Sequence, residues 1–377
     1  MPESGKPETG KNAHDILRII SMKNISMKNE SIKRILMPII TILVYLLPFV
    51  LLTVSLFVGR YHTSVFEVTD ECLKTFSAFI LGAPVPVSTQ HTVLFNVRLP
   101  RILAALLVGS ALSTAGVSFQ GIFRNPLVSP YILGVGAGAG FGACLAILLW
   151  DNYLLIQLTA FAFGLLAMFA ALSMSKVGKS PGVSPSPSSL TIILSGIIVG
   201  SIFTALISLV KYVADPYDDL PEIVFWLMGS LAGIRCGDLL WVVVPIFVGT
   251  LVLFLLRWRI NVLSLEDEEA RALGVDVERM RLIIIVCATL LTSAAVSISG
   301  VIGWIGLVVP HISRMLVGPN YIRLLPMSMV LGASFLLFVD NLARVVTPTE
   351  IPLGILTSLV GAPLFAYFIK RGHIGWN

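Results

Sequence analysis

Residues 239–256 read LLWVVVPIFVGTLVLFLL, residues 282–298 read LIIIVCATLLTSAAVSI, and the polar stretch between them contains Leu263 to Arg281, LSLEDEEARALGVDVERMR. Neither apolar run carries a charge, and each approaches the ~20 residues an α-helix needs to cross about 30 Å of hydrocarbon. Backbone in lipid must satisfy its own hydrogen bonds, so two such runs joined by a short charged connection read as neighbouring membrane helices. Composition supports extending this reading to the rest of the chain. Over 377 residues, 56% are hydrophobic and 12% charged, where a water-soluble domain carries about 25% charged residues.

Working outward, further apolar runs fall at Ile35 to Val58, Leu99 to Phe119, Tyr131 to Trp150, Tyr153 to Met174, Leu190 to Tyr212, Val301 to Val317, Leu324 to Ala343 and Ile351 to Ile369. With the first two this predicts an all-α membrane protein, a polytopic bundle of about ten transmembrane helices over residues 35–371. Residues 1–34 form a polar arm with ISMKN at Ile20 to Asn24 repeated at Ile25 to Asn29, and residues 372–377 form a tail. No small-residue cleavage site follows the first run, which is expected to stay as a membrane helix.

An even number of spans puts both termini on one side, and Lys/Arg placement says which. With the N-terminus cytoplasmic, nineteen basic residues face inward and seven outward (Arg60, Lys74, Arg98, Arg101, Lys211, Arg235, Arg344), the bias expected of inner segments. The net charge of +5 is then an orientation signal, and nucleic acid is not implied. Lys176 to Ser189, KVGKSPGVSPSPSS, reads as a mobile cytoplasmic loop. The stretches 60–97 and 213–238 are the longest outer connections. Asp215, Asp218, Asp219 and Glu222 in the second read as a solvated acidic loop, since no metal-ligand spacing is fixed. Gly134, Gly138 and Gly142 repeat at the four-residue interval that lets helix backbones approach closely.

A transporter needs an energy source, and gradient-driven carriers keep ionisable groups near mid-span. Here Asp340, Arg344, His311, Arg314, Lys211 and Arg101 sit near predicted helix ends, where they are expected to reach the interface. The sequence contains neither GxxxxGK[ST] nor HExxH, and the four cysteines form no CxxC pair. No catalytic residue, metal site or cofactor of the chain's own is therefore assigned. Energy is expected to enter through the elbow at 263–281, which reads as two short helices about Gly274. Glu266, Asp267, Glu268 and Glu269 favour the start of the first through the helix dipole, Gly274 supplies a left-handed C-cap, and Asp276 begins the second. Four consecutive acids are repelled by an anionic leaflet, so the elbow suits a soluble partner better than lipid headgroups.

The chain also resembles a known family. Arg98-Leu-Pro-Arg101, Gln120-Gly-Ile-Phe-Arg-Asn125-Pro-Leu127, Leu133-Gly-Val-Gly-Ala-Gly138, Glu269-Ala-Arg-Ala-Leu-Gly274, Gly306-Leu-Val-Val-Pro310-His311-Ile-Ser-Arg314, Asp340-Asn-Leu-Ala-Arg344, Glu350-Ile-Pro-Leu-Gly354 and Gly361-Ala-Pro363 are similar to the FecCD-type permeases, the type II ABC importer subunits for iron chelates, haem and vitamin B12. The resemblance implies a homodimer in the cytoplasmic membrane, two ATPase subunits that hold ATP and Mg, and an extracytoplasmic substrate-binding protein. It assigns Arg98, Arg101 and Arg344 to docking of that protein, and Glu268, Glu269, Ala270, Arg271, Leu273 and Gly274 to ATPase coupling. Asn125, Pro126, Leu127 and, within Ser188 to Leu190, Ser189 become the cytoplasmic gate. The Ser/Pro insertion and the long N-terminal arm depart from the family pattern. His311 beside Arg314 reads as a structural or interfacial group. The breadth of the family ranks a ferric siderophore first as cargo, then cobalamin, then haem. An ion-gradient-driven secondary transporter and a membrane-embedded enzyme are the rival classes.

Overall fold

Because lipid offers no hydrogen-bond partner, every apolar run that crosses it should coil, and in the computed structural model all ten do. The structure describes residues 37–61, 63–82, 88–176 and 189–370. The arm at 1–34, the tail at 372–377 and residues 177–188 of the Ser/Pro loop lie outside the described residues. Among the described residues, eight helices are long and apolar enough to span a membrane. They are α1 (Met37–Phe57), Thr89–Phe123, α6 (Tyr153–Ser175), α7 (Ser189–Val213), α9 (Cys236–Leu263), α11 (Val277–Ser299), α13 (Tyr321–Val345) and α14 (Leu353–Lys370). The second of these is built from α3 (Thr89–His91), a π-helical stretch Thr92–Arg98 and α4 (Leu99–Phe123).

The other two expected spans are shorter, α5 (Val135–Trp150) and α12 (Ile305–Val317). The run expected to be helical from Val301 starts only at Ile305, since Gly300 (φ 65°) and Trp304 (φ 69°) turn the backbone left-handed. That unwound segment is packed against other backbone: a Cβ added to Gly300 would strike the Trp226 carbonyl. Its polar groups find protein partners. Ser230 N–H donates to the Ser299 carbonyl at its start at 2.9 Å, and the Tyr131 hydroxyl to Ile302 at 2.7 Å. Irregular backbone at membrane depth is tolerated only under such cover.

Two connections read as loops are helical. α2 (Val65–Leu81) opens with a capping box between Ser64 and Glu67 and ends on left-handed Gly82. Its Val68, Glu71 and Ala78 face the protein, while Phe66, Leu73, Phe76 and Ile80 point away. α8 (Asp219–Met228) absorbs two of the acids of the expected acidic loop, after a turn in which Asp215 Oδ1 accepts from the Tyr217 and Asp218 amides at 2.8 and 3.2 Å.

The core runs along α4 and α11, where 78% of the most apolar stretch of each spanning segment is buried, against 6% for α1. Small residues set the spacing. Cβ atoms on Gly138 and Gly142 of α5 would strike the Phe163 and Thr159 carbonyls of α6, and one on Gly109 of α4 would strike Gly332 of α13. With no hydrophobic force pulling helices together in lipid, this close backbone contact supplies the packing.

Candidate functional site

At one end of the bundle, α9 closes at Leu263 and the chain turns into α10 (Asp267–Ala272). Glu269 folds back to accept from the Glu266 amide at 3.3 Å, a reciprocal cap for a helix too short to stand alone. Gly274 has φ 78°, its amide bonds the Arg271 carbonyl at 2.9 Å, and the Val275 amide bonds the Ala270 carbonyl at 3.1 Å. This is the paired-bond ending that requires a left-handed residue, and Gly274 is where the sequence placed it. Asp276 caps α11 by accepting from the Arg279 amide at 3.0 Å. The second of the two expected short helices is thus the first turn of α11, continuous with the span. Glu268, Glu269, Arg271, Leu273 and Gly274 are exposed on the elbow, and Ala270 is buried beneath it.

The turn after α4 lies against this elbow. Arg124 takes the left-handed conformation (φ 50°, ψ 36°), which costs a residue with a Cβ about 1–2 kcal/mol. The Asn125 amide reaches back to Gln120 O at 3.2 Å, and the Asn125 side chain accepts from the Leu127 amide at 2.9 Å, leaving Leu127 51% exposed. Arg124 Nε donates to the Leu263 carbonyl at 3.3 Å, and its Nη2 pairs with Asp267. Arg281 Nη2 approaches the same carboxylate at 3.1 and 3.3 Å. On the other side, Arg314 Nη2 donates to Gln120 Oε1 at 3.0 Å. Sequence reasoning treated Asp267 only as one of four acids at a helix start, and no local signal separates it from Glu266, Glu268 or Glu269. Ser189, assigned to the gate, opens α7 beside residues outside the described set, while His311 is buried against the rings of Phe365 and Phe368.

At the opposite end, the chain brings Arg98, Arg101 and Arg344 together from α1-facing, α4 and α13 positions, all three buried. Arg101 donates through Nε to Asp340 at 2.8 Å and through Nη1 to both Glu350 oxygens at 2.8 and 2.9 Å. Arg344 pairs with Asp340 at 3.1 Å, the i to i+4 pair open to it in the sequence, and also donates to Ser55 Oγ at 2.6 Å and Val58 O at 3.2 Å. Arg98 donates to Thr63 Oγ1 at 2.8 Å and to the Leu56 and Tyr61 carbonyls. The expectation that Arg101, Asp340 and Arg344 reach out to the interface is therefore corrected: Asp340 is 0% exposed, and opposite charges that pair tightly can turn inward together. A cavity of about 230 Å³ opens beside the cluster, lined among others by Arg60, Arg98, Arg101, Arg344 and Glu350.

A helical bundle that spans the membrane many times, carries no phosphate loop in its sequence and exposes a capped acidic elbow between two spans is built as the membrane subunit of a transporter powered by a second polypeptide. The chain belongs to the FecCD transport family, whose model matches residues 26–371. It is 45% identical over 324 residues to the molybdate import system permease protein MolB of Haemophilus influenzae, covering 85% of this chain and 92% of that one. It is 39% identical over 323 residues to the "Probable iron chelatin transport system permease protein" of Helicobacter pylori, covering 85% and 95%. A solved structure described as an inward-facing conformation of a metal-chelate type ABC transporter superposes with TM-score 0.77 at 41% identity, covering 89% of this chain and 99% of that one. The chain is thus a multi-pass ABC permease subunit and not an enzyme; in its family ATP hydrolysis belongs to separate ATPase subunits, which work with a substrate-binding protein.

Proposed function

We propose that this permease forms the homodimeric pathway of an importer for a metal-containing cargo, driven by ATP and Mg bound on a partner ATPase. The observation that carries the reading is the elbow, a short helix capped at both ends that leaves Glu268, Glu269, Arg271 and Leu273 exposed toward a partner while Ala270 ties it to the bundle. In this reading the elbow end and both termini are cytoplasmic, as the Lys/Arg distribution favours, and Asn125 to Leu127 with Ser189 close the inner mouth. Arg98, Arg101 and Arg344 face the binding protein from the outer end. Of the three, Arg101 holds the most accessible internal partner, Glu350, whose side chain is 26% exposed, so docking there exchanges Glu350 for a carboxylate of the binding protein. Charge pairs of this kind orient and accelerate encounter.

The relatives named above point to molybdate and iron chelates as cargo classes, and the binding protein is expected to select between them. The test is uptake of ⁹⁹Mo-molybdate and ⁵⁵Fe-hydroxamate into liposomes holding the permease with its co-purified ATPase. Uptake of either that requires ATP supports the reading. Accumulation by the permease alone under an ion gradient overturns it in favour of a secondary carrier.

A further inference from the structure

The turn ending α4 and the elbow between α9 and α11 are more than a hundred residues apart, yet one carboxylate joins them. Asp267, the first residue of α10, receives Arg124 from the turn and Arg281 from α11, while Arg124 Nε holds the last carbonyl of α9 at 3.3 Å. Arg281 is 6% exposed and its Nε finds no hydrogen-bond partner among the described residues, where Asp267 is the carboxylate that answers its buried charge. We propose that Asp267 is the positioning residue through which a displacement of α10 reaches the turn at residues 124–127. The inference rests on the reading that α10 meets an ATPase, and it names the link inside the permease that this reading leaves open.

The contacts of α10 differ in kind. Ala270 is buried by apolar packing, which has no direction and lets surfaces slide. The exposed pair Arg271–Glu278, at 3.9 Å, is loose. Charge-assisted bonds to Asp267 are directional and hold their geometry when α10 shifts. Arg124 is covalently next to Asn125, and in its left-handed cap its own amide reaches the Gln120 and Gly121 carbonyls while the Asn125 amide reaches Gln120 O at 3.2 Å. A pull on Arg124 therefore acts first on this last turn of α4. Gln120, held by Arg314 of α12 at 3.0 Å, supplies the fixed point against which the pull acts. Glu268 and Glu269, one and two positions along, make no such connection to the turn and belong to the partner-facing surface.

The test uses the permease–ATPase complex with the four native cysteines replaced by alanine and a nitroxide on Leu127→Cys. One readout is the ATPase retained on purification and its hydrolysis rate. The other is the change in the label's spectrum when ATP, Mg and vanadate trap the nucleotide. For Asp267→Asn and Arg124→Gln the expected result is ATPase retention and hydrolysis within about twofold of the parent, with the spectral change lost, and no further loss in the double variant. Arg281→Gln, which spares the Arg124 link, is expected to keep the spectral change. Persistence of the change in Asp267→Asn, or its equal loss in Arg281→Gln, overturns the inference. Should Asp267→Asn fail to assemble, Arg124→Gln decides by the same readouts. A parent permease that retains no ATPase would instead remove the functional reading itself.

Discussion

Asp340 has two arginines for company and is fully shielded from solvent. Removing it leaves Arg101 and Arg344 buried with less opposite charge, and breaking a buried ion pair costs about 3–5 kcal/mol. Asp340→Ala should therefore lower the melting temperature in detergent far more than Glu350→Gln, whose side chain is partly exposed; intrinsic tryptophan fluorescence reads both. Glu222, in α8 outside the spans, shows the opposite polarity of effect. Partial desolvation first, then the neighbouring charges of Asp151 and Asp219, raise the carboxyl of this exposed side chain above the ordinary value. A raised carboxyl contributes stability that is present below its unfolded value, about 4.3, and lost as pH rises through the folded value. Glu222→Gln should therefore melt above the parent at pH 7, with the gap closing as the pH falls toward 4.

At the scale of elements, caps and close contacts decide what forms. Gly274→Ala places a Cβ at φ 78° with open space around it, so the cost is conformational, about 1–2 kcal/mol. It should fall on the elbow alone, seen as faster hydrogen exchange at the 274 and 275 amides with the global melting point unchanged. Gly142→Leu drives a side chain into the Thr159 backbone and should separate α5 from α6, giving little folded protein on size exclusion. Two of the ten expected runs form shorter apolar helices; the other eight spans were legible because length and apolarity identify them. The unwound 300–304 segment was not, because its residues are as apolar as a helix and the break is enforced by tertiary contacts. α2 was hidden for a different reason: its Phe66, Leu73, Phe76 and Ile80 are spaced among Thr, Asp, Glu and Lys, and the stretch falls short of a span.

Over the whole molecule, the parts sequence could not reach are those made by distant residues. Arg101 and Asp340 are 239 positions apart and Arg124 and Asp267 are 143 apart, so neither pairing leaves a local trace, whereas the motif order along the chain did point to the family. Treating the molecule as two ends linked by α4 gives one further expectation. Nucleotide trapping should change proteolysis or label mobility at the elbow end in the ATPase complex, and the isolated chain should give no response to the same nucleotide.

The arginine clamp also bears on how the chain is made. Helix α1 leaves the ribosome before the other described helices and shares little surface with them, yet the groups that fasten its end at Ser55 and Val58 reside on Arg344, nearly three hundred residues later. Until then Arg98, which reaches the Leu56 carbonyl, is its early tether, and nascent chains arrested before residue 344 should yield α1 to membrane proteases more readily than the full chain.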